Sequence, residues 1–154
     1  MARPIHPHRR AVLAAGVGAP FAFSLAPLPA SAALAPRTEA AVAKVLAGRV
    51  AAPGPVTLGL PTVAENGAIV PMTIAVESPM TREDHVTAVH VFADRNPDAQ
   101  VAVFRFTPAL GRAEATTRIR LSEGQIVVAV AETSTGAVYL ARREVTVTVG
   151  GCGG

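Results

Sequence analysis

The chain has 154 residues, of which 50% are hydrophobic, 16% charged and 4% aromatic, a composition that fits one folded domain and excludes intrinsic disorder. Its single cysteine excludes an internal disulfide framework and a multi-cysteine metal site. The first 32 residues contain Arg3, Arg9 and Arg10 but no acidic residue. The remainder holds 11 of the 14 basic residues against 11 acidic ones, so its charge gives no indication of nucleic-acid binding.

Residues 1–32 have the pattern of a signal peptide. A basic start with the pair Arg9-Arg10 precedes an uncharged, Ala-rich stretch that ends at the small residues 30–32, which predicts cleavage before Ala33. The arginine pair resembles a twin-arginine export signal. A retained membrane anchor is the alternative, but repeated Gly and Pro make the stretch a poor membrane span. We therefore expect a periplasmic mature chain with no membrane attachment after cleavage.

The mature chain is predicted to begin with a helix and linker at residues 33–55. Residues 38–48 favour a short helix because alanine dominates its interior, with Thr38 as N-cap and Gly48 as the stop. Its apolar residues recur at helical spacing and predict one buried face: Val42, Val45 and Leu46.

From residue 56 to residue 149 the hydrophobic period changes to two. Alternating stretches such as 70–76 predict about seven or eight short strands, and the fully apolar stretch 126–131 favours a central strand. Residues 138–140 and 145–149 predict the last two, and Asn66-Gly67 is a hairpin signal. The pattern predicts an all-β fold, an antiparallel β-sandwich.

The chain ends in a segment of unusual composition, residues 150–154. Cys152 is flanked by Gly150 and Gly151 on one side and by Gly153 and Gly154 on the other. Because glycine has the greatest backbone freedom, we expect a flexible C-terminal arm. Cys152 is the third residue after Val149, so the thiol is predicted to reach about 10 Å beyond the last strand.

The surroundings of Cys152 favour a passive attachment point over a catalytic nucleophile. No basic residue or histidine adjoins it in sequence, so nothing local lowers the thiol pKa from its ordinary value of about 8.5. A chance free cysteine in a tail is the bland alternative, but an exposed unpaired thiol is an oxidation hazard in a secreted protein.

Other polar residues give weak signals. His85 and His90 are expected to lie on opposite faces of a strand, and the sequence predicts no metal site and no cofactor. The acidic pair 83–84 is typical of a turn. Arg118 and Arg120 are predicted to share a strand face, where they suit a ladder of carboxylate pairs or a partner surface equally.

With these residues identified, the chain resembles the SoxY family, the sulfur-carrier subunits of the bacterial thiosulfate-oxidising (Sox) system. The resemblance rests mainly on the terminal Gly-Gly-Cys-Gly-Gly motif and the twin-arginine leader. Internal segments corroborate it: residues 64–67, 76–81, 96–97 and 117–121.

The resemblance implies an immunoglobulin-like sandwich that forms a heterodimer with a SoxZ-like subunit. It further implies that Cys152 carries pathway intermediates covalently. The implied partners are a SoxAX-like cytochrome that loads thiosulfate, a SoxB-like dimanganese hydrolase that releases sulfate, and a SoxCD-like dehydrogenase that oxidises the remaining sulfur. The metals and redox centres would then belong to these partners, and this chain would be a carrier rather than an enzyme.

Three other functions remain open at this point. A thiol-based redox enzyme would need a basic group near Cys152 and a lowered thiolate pKa. A ubiquitin-like sulfur carrier, activated at a terminal Gly-Gly, would need ATP and leaves Cys152 without a role. A plain β-sandwich binding module would tolerate loss of the arm.

Overall fold

A computed structural model of the protein describes residues 33–150. One α-helix, α1, and one short 3-10 helix accompany eight strands. The helices are Pro36–Leu46 (α1) and Pro108–Leu110 (3-10). The strands are β1 (Val56–Gly59), β2 (Val63–Asn66), β3 (Val70–Val76), β4 (Val86–Ala93), β5 (Gln100–Arg105), β6 (Ala113–Ile119), β7 (Gln125–Thr133) and β8 (Val138–Val149). None of the helices in this part of the chain has the length and apolar character needed to cross a membrane.

The helix α1 begins two residues before the predicted N-cap. Pro36 occupies its first turn, where a missing N–H costs nothing and the fixed φ suits the helix. Thr38 is therefore not a cap but a fully buried helical residue, whose hydroxyl donates to the Asp94 carbonyl at 3.4 Å. The helix ends at Leu46, and its C-cap is Ala47 in the left-handed conformation (φ 49°), one residue before the predicted stop at Gly48.

The strands form two sheets that pack as a β-sandwich. The smaller sheet has the order β1-β3-β6 and the larger has the order β2-β8-β7-β4-β5. The strand β7 lies at the centre of the larger sheet, as its apolar sequence on both faces predicts. The two predicted C-terminal strands are one continuous strand of 12 residues, β8, in which the intervening charged residues 142–144 are exposed.

One strand pair departs from the antiparallel prediction. The strand β2 pairs with β8 in parallel, with Val63 opposite Thr146 and Asn66 opposite Val149. Consequently β2 and β3 belong to different sheets, and the Asn66-Gly67 turn crosses between the sheets instead of closing a hairpin. A turn signal reports a chain reversal but not the sheet that each flanking strand joins.

The main core lies between the sheets and follows the predicted alternation. Every second residue of β3 is buried, and these side chains meet the inner residues of the larger sheet, including Val89, Val127 and Val145. A second cluster lies on the outer face of the larger sheet. There Val42 of α1 packs over a group of buried side chains: Phe92, Val128, Val130 and Val138. This cover explains why β4 and β7 are apolar on both faces.

Candidate functional site

The strand β8 leads directly to the predicted attachment point. It ends at Val149, and Gly150 is the last residue that the structure describes. Cys152, together with Gly151, Gly153 and Gly154, lies outside the described residues, as does the predicted signal peptide. The structure therefore defines the root of the C-terminal arm, from which the position of the thiol can be bounded.

The end of β8 is held by the turn that follows β2. The Gly67 N–H donates to the Val149 carbonyl at 2.8 Å, and the Leu121 N–H donates to the Gly67 carbonyl at 2.8 Å. The same turn thus joins the last residue of β8 to the segment after β6. These bonds fix where the arm leaves the sandwich.

Gly150 lies so close to the backbone of Ser122 that any amino acid with a Cβ at this position would have to displace the chain. A Cβ at this position would lie 2.2 Å from the Ser122 carbonyl oxygen, well inside the shortest contact that real Cβ atoms make. The sequence explains the glycine at this position by the flexibility of the arm, and the structure adds a steric reason. The first glycine of the arm is therefore seated against the loop that contains Ser122.

The side chain of Asn96 braces this loop through hydrogen bonds. Its side chain is buried, with 7% exposure; Oδ1 accepts hydrogen bonds from the Ser122 N–H (3.0 Å) and the Gln125 amide (3.0 Å), and Nδ2 donates to the Arg120 carbonyl (2.7 Å). The Ser122 hydroxyl in turn donates to the Arg95 carbonyl at 2.9 Å. The sequence indicates no role for Asn96 or Ser122 beyond the Asn-Pro turn at 96–97, which is one of the segments that carry the family resemblance.

The fixed root limits where the thiol can be. Cys152 follows Gly150 by two residues, so the Cα atoms of these residues are at most about 7.6 Å apart. The sulfur can lie beyond the Cα of Cys152 by no more than the length of the cysteine side chain. Any protein that acts on the sulfur must therefore come close to the arm root.

Arg118 and Arg120 line a groove at the open edge of the sandwich. The groove lies between β5 and β6, has a volume of about 530 Å³, and also includes Val101, Phe104 and Asp98 in its lining. Among residues 33–150 neither arginine has an ion-pair partner, so the predicted carboxylate ladder does not form there. The alternative, a surface for a partner, remains a prediction.

His85 and His90 have different environments. His85 precedes β4 instead of lying within a strand, and its Nδ1 atom is buried with no hydrogen-bond partner among residues 33–150. His90 lies in β4, where Nε2 contacts a carboxylate oxygen of Glu132 at 3.0 Å and Nδ1 contacts the Gln100 amide at 3.1 Å. Within residues 33–150 no three His, Cys, Asp or Glu side chains are grouped to hold a metal ion.

Glu132 is the centre of a charged network that sequence reasoning missed. It pairs with Arg49 as well as with His90, and Arg49 also donates to the carbonyls of Leu46 (2.9 Å) and Val45 (2.7 Å) at the end of α1. Burial raises the pKa of the Glu132 carboxyl, but the hydrogen bonds and charges of Arg49 and His90 outweigh burial and hold that pKa below its ordinary value. The network ties the helix to the larger sheet.

The fold and the arm root define a class of protein: a β-sandwich whose last strand leads into a glycine-rich sequence with one cysteine. The family model for the sulfur oxidation protein SoxY matches residues 42–152, a range that includes the whole sandwich and reaches the cysteine. The chain belongs to the SoxY family.

One solved structure supports this assignment, and others share the fold. The sulfur carrier protein SoxY from Chlorobium limicola f thiosulfatophilum is similar with a TM-score of 0.61 and 29% identity, over 73% of this chain and 97% of that chain. A superoxide reductase (neelaredoxin) from Ignicoccus hospitalis has a TM-score of 0.55 at 13% identity, over 61% and 80% of the two chains. A putative superoxide reductase from Thermotoga maritima has a TM-score of 0.51 at 19% identity, over 60% and 84%.

The two reductases share the fold alone, because their identity to this chain is low. No curated protein matches the sequence.

Proposed function

We propose that this protein is a periplasmic sulfur carrier that holds the intermediates of thiosulfate oxidation covalently on Cys152. The observation that carries the proposal is the match of the SoxY family model, which extends to the chain's single cysteine. The seated arm root adds support, since Gly150 and the Asn96-braced loop fix the origin of the segment that bears the thiol.

Loading is an oxidation in which a disulfide-type bond forms. The Cys152 thiol loses its proton, its sulfur joins the outer sulfur of thiosulfate, and two electrons leave one at a time to an external acceptor, so the product is Cys–S–S–SO₃⁻. A SoxAX-like cytochrome is the proposed electron acceptor. The chain itself contributes the thiol and its position.

Hydrolysis then releases sulfate. Water attacks the terminal sulfonate sulfur, the S–S bond breaks towards the carrier, and the products are sulfate, two protons and a persulfide, Cys–S–S⁻. A SoxB-like hydrolase is the proposed catalyst, and a SoxCD-like dehydrogenase is proposed to oxidise the remaining sulfur. We propose that this chain acts as a non-catalytic subunit throughout.

A carrier of this kind keeps each intermediate at a high effective concentration near the next enzyme and prevents its loss by diffusion. We further propose a heterodimer with a SoxZ-like subunit. Export through the twin-arginine signal at residues 1–32, with the pair folded beforehand, would let one leader carry both chains.

The test compares the wild type with Cys152→Ser in thiosulfate-dependent cytochrome reduction by the reconstituted partner enzymes. We expect turnover with the wild type and none with the variant, because the serine hydroxyl cannot form the S–S bond. The variant should retain the wild-type melting temperature, which excludes misfolding as the cause. Full turnover with Cys152→Ser would refute the proposal.

A further inference from the structure

The turn after β2 contains an asparagine that is followed directly by a glycine. In such a pair the backbone nitrogen of the glycine can attack the side-chain amide of the asparagine, because glycine has no Cβ to obstruct the approach. Asn66 is exposed, Gly67 is buried, and this is the only Asn-Gly pair in the sequence. The turn therefore holds the one site in the chain where this reaction has its most favourable sequence.

The folded structure holds both reacting groups in hydrogen bonds. The Gly67 N–H donates to the Val149 carbonyl at 2.8 Å, so this bond must break before the nitrogen can lose its proton and attack. The Gly67 carbonyl accepts from the Leu121 N–H at 2.8 Å, which fixes the same residue from the other side. The Asn66 side chain is held as well, because Oδ1 accepts from the Ala68 N–H at 2.8 Å. A reaction at Asn66 therefore requires that the end of β8 first leaves Gly67.

The bond that protects Asn66 lies at the end of a strand pair. Asn66 opposite Val149 is the last position at which β2 and β8 are paired, and the chain continues from there into the glycine-rich arm. Hydrogen bonds at such ends open locally more often than those of the core. The N–H of Gly67 is therefore released whenever the root of the arm opens, without unfolding of the sandwich.

We propose that Asn66 is a site of self-modification that the opening of the arm root controls. When the Val149 carbonyl leaves, the Gly67 nitrogen loses its proton to solvent and bonds to the side-chain carbonyl carbon of Asn66. The side-chain nitrogen then departs as ammonia, and a succinimide ring remains. Water opens the ring at either of its carbonyls, so the net reaction consumes one water, releases one ammonia and leaves isoaspartate or aspartate.

The modification removes the contact that prevents it. In the succinimide the Gly67 nitrogen carries no hydrogen, so it cannot donate to Val149. In isoaspartate the backbone runs through the former side chain and is longer by one carbon atom, which displaces Gly67 from Leu121 as well. The reaction is one-way, so it converts a seated arm root into a loose one. It needs only water and does not involve Cys152.

The test follows isoaspartate and aspartate at residue 66 in the purified full chain by peptide mass spectrometry during incubation at mildly alkaline pH. The variant Gly150→Ala places a Cβ against the Ser122 carbonyl and so displaces the end of β8. The matched control is Gly124→Ala, whose Cβ would lie 3.5 Å from the Val145 carbonyl oxygen of β8, an ordinary contact. We expect the rate at residue 66 to rise about tenfold in Gly150→Ala and less than about twofold in Gly124→Ala.

Two further measurements tie the reaction to this opening. Hydrogen exchange of the Gly67 amide should rise in Gly150→Ala by the same factor as the modification, because both reactions need the free N–H. The wild type unfolded in urea gives the unprotected rate without any variant, and we expect the folded wild type to react at least about tenfold more slowly. Asn66→Ser keeps an oxygen acceptor for the Ala68 N–H but has no amide, so it should show no product at residue 66.

The modified chain tests the loosening of the root. It separates from the unmodified chain by ion exchange because it has gained a negative charge. We expect the Leu121 amide to exchange faster in the modified chain, since the Gly67 carbonyl has moved away from it.

Equal rates at residue 66 in Gly150→Ala and Gly124→Ala, or a folded wild type that reacts as fast as the unfolded chain, would overturn the protection by Val149. Unchanged exchange of Leu121 in the modified chain would overturn the loosening of the root. Neither result bears on whether Cys152 carries sulfur, which Cys152→Ser tests separately.

Discussion

The network centred on Glu132 predicts a specific dependence of stability on charge and pH. Glu132→Gln keeps the size of the side chain but removes its charge, so Arg49 loses its ion pair and His90 loses its contact with a carboxylate. Each such change costs about 1 kcal/mol. Because both partners of the Arg49–Glu132 pair are partly exposed, solvent screens part of this, and we expect a total loss of about 1–2 kcal/mol.

The assay is thermal unfolding followed by circular dichroism. A loss of that size in a domain of this length lowers the melting temperature by about 3–8 °C. The control is Glu114→Gln, an exposed glutamate of β6 outside the network, for which we expect a change within about 0.5 kcal/mol.

The pH dependence gives the sharper test. The pKa of Glu132 is lower in the folded protein than its ordinary value of 4.5, so its stabilisation is complete above that value and is lost as the pH falls through the folded-state pKa. The wild type and Glu132→Gln should therefore differ at pH 7 and converge in acid. A constant difference at all pH values, or equal effects of Glu132→Gln and Glu114→Gln at pH 7, would refute the reasoning.

Three other substitutions test the architecture. Phe92→Ala should lower the free energy of unfolding by about 3–5 kcal/mol in denaturant titration, since Phe92 is fully buried between the larger sheet and α1; a loss below about 1 kcal/mol would contradict that packing. Asn96→Ala should cost about 2–3 kcal/mol in the same titration because it removes the hydrogen-bond partner of the Ser122 N–H and of the Arg120 carbonyl, and a neutral effect would show that the brace is dispensable. Gly150→Ala should displace the end of β8 and speed hydrogen exchange of the Gly67 amide; unchanged exchange would argue against the seated root.

The sequence predicts the sandwich well because the alternation of residues such as Val70, Met72 and Ile74 reports directly which side chains face the core. The central position of β7 is also predictable, since a strand covered on both faces must be apolar on both. The start of α1 is not, because Thr38 is a good N-cap by local rules, and only its burial against Asp94 shows that the helix begins earlier.

Features that depend on strand partners could not be predicted. The parallel pairing of β2 with β8 joins segments about 80 residues apart, and no local pattern encodes it. The same pairing brings the turn at Asn66 and Gly67 to the root of the arm. The Arg49–Glu132–His90 network and the Asn96 brace likewise depend on contacts between residues that are distant in the sequence.

The functional prediction rests on a different kind of signal. The Gly-Gly-Cys-Gly-Gly motif is contiguous, so it can be read without the fold, and it led to the SoxY family that the family model also matches. The surroundings of the arm root are assembled from separate segments of the chain, which explains why only the structure indicates them.

The most direct test of the carrier function is intact-protein mass spectrometry after incubation with thiosulfate, the SoxAX-like cytochrome and an electron acceptor. We expect a mass increase of one thiosulfate group, located on the peptide that contains Cys152 and removed by a thiol reductant. A protein that remains unmodified while the cytochrome turns over, or a modification at any other residue, would contradict the account.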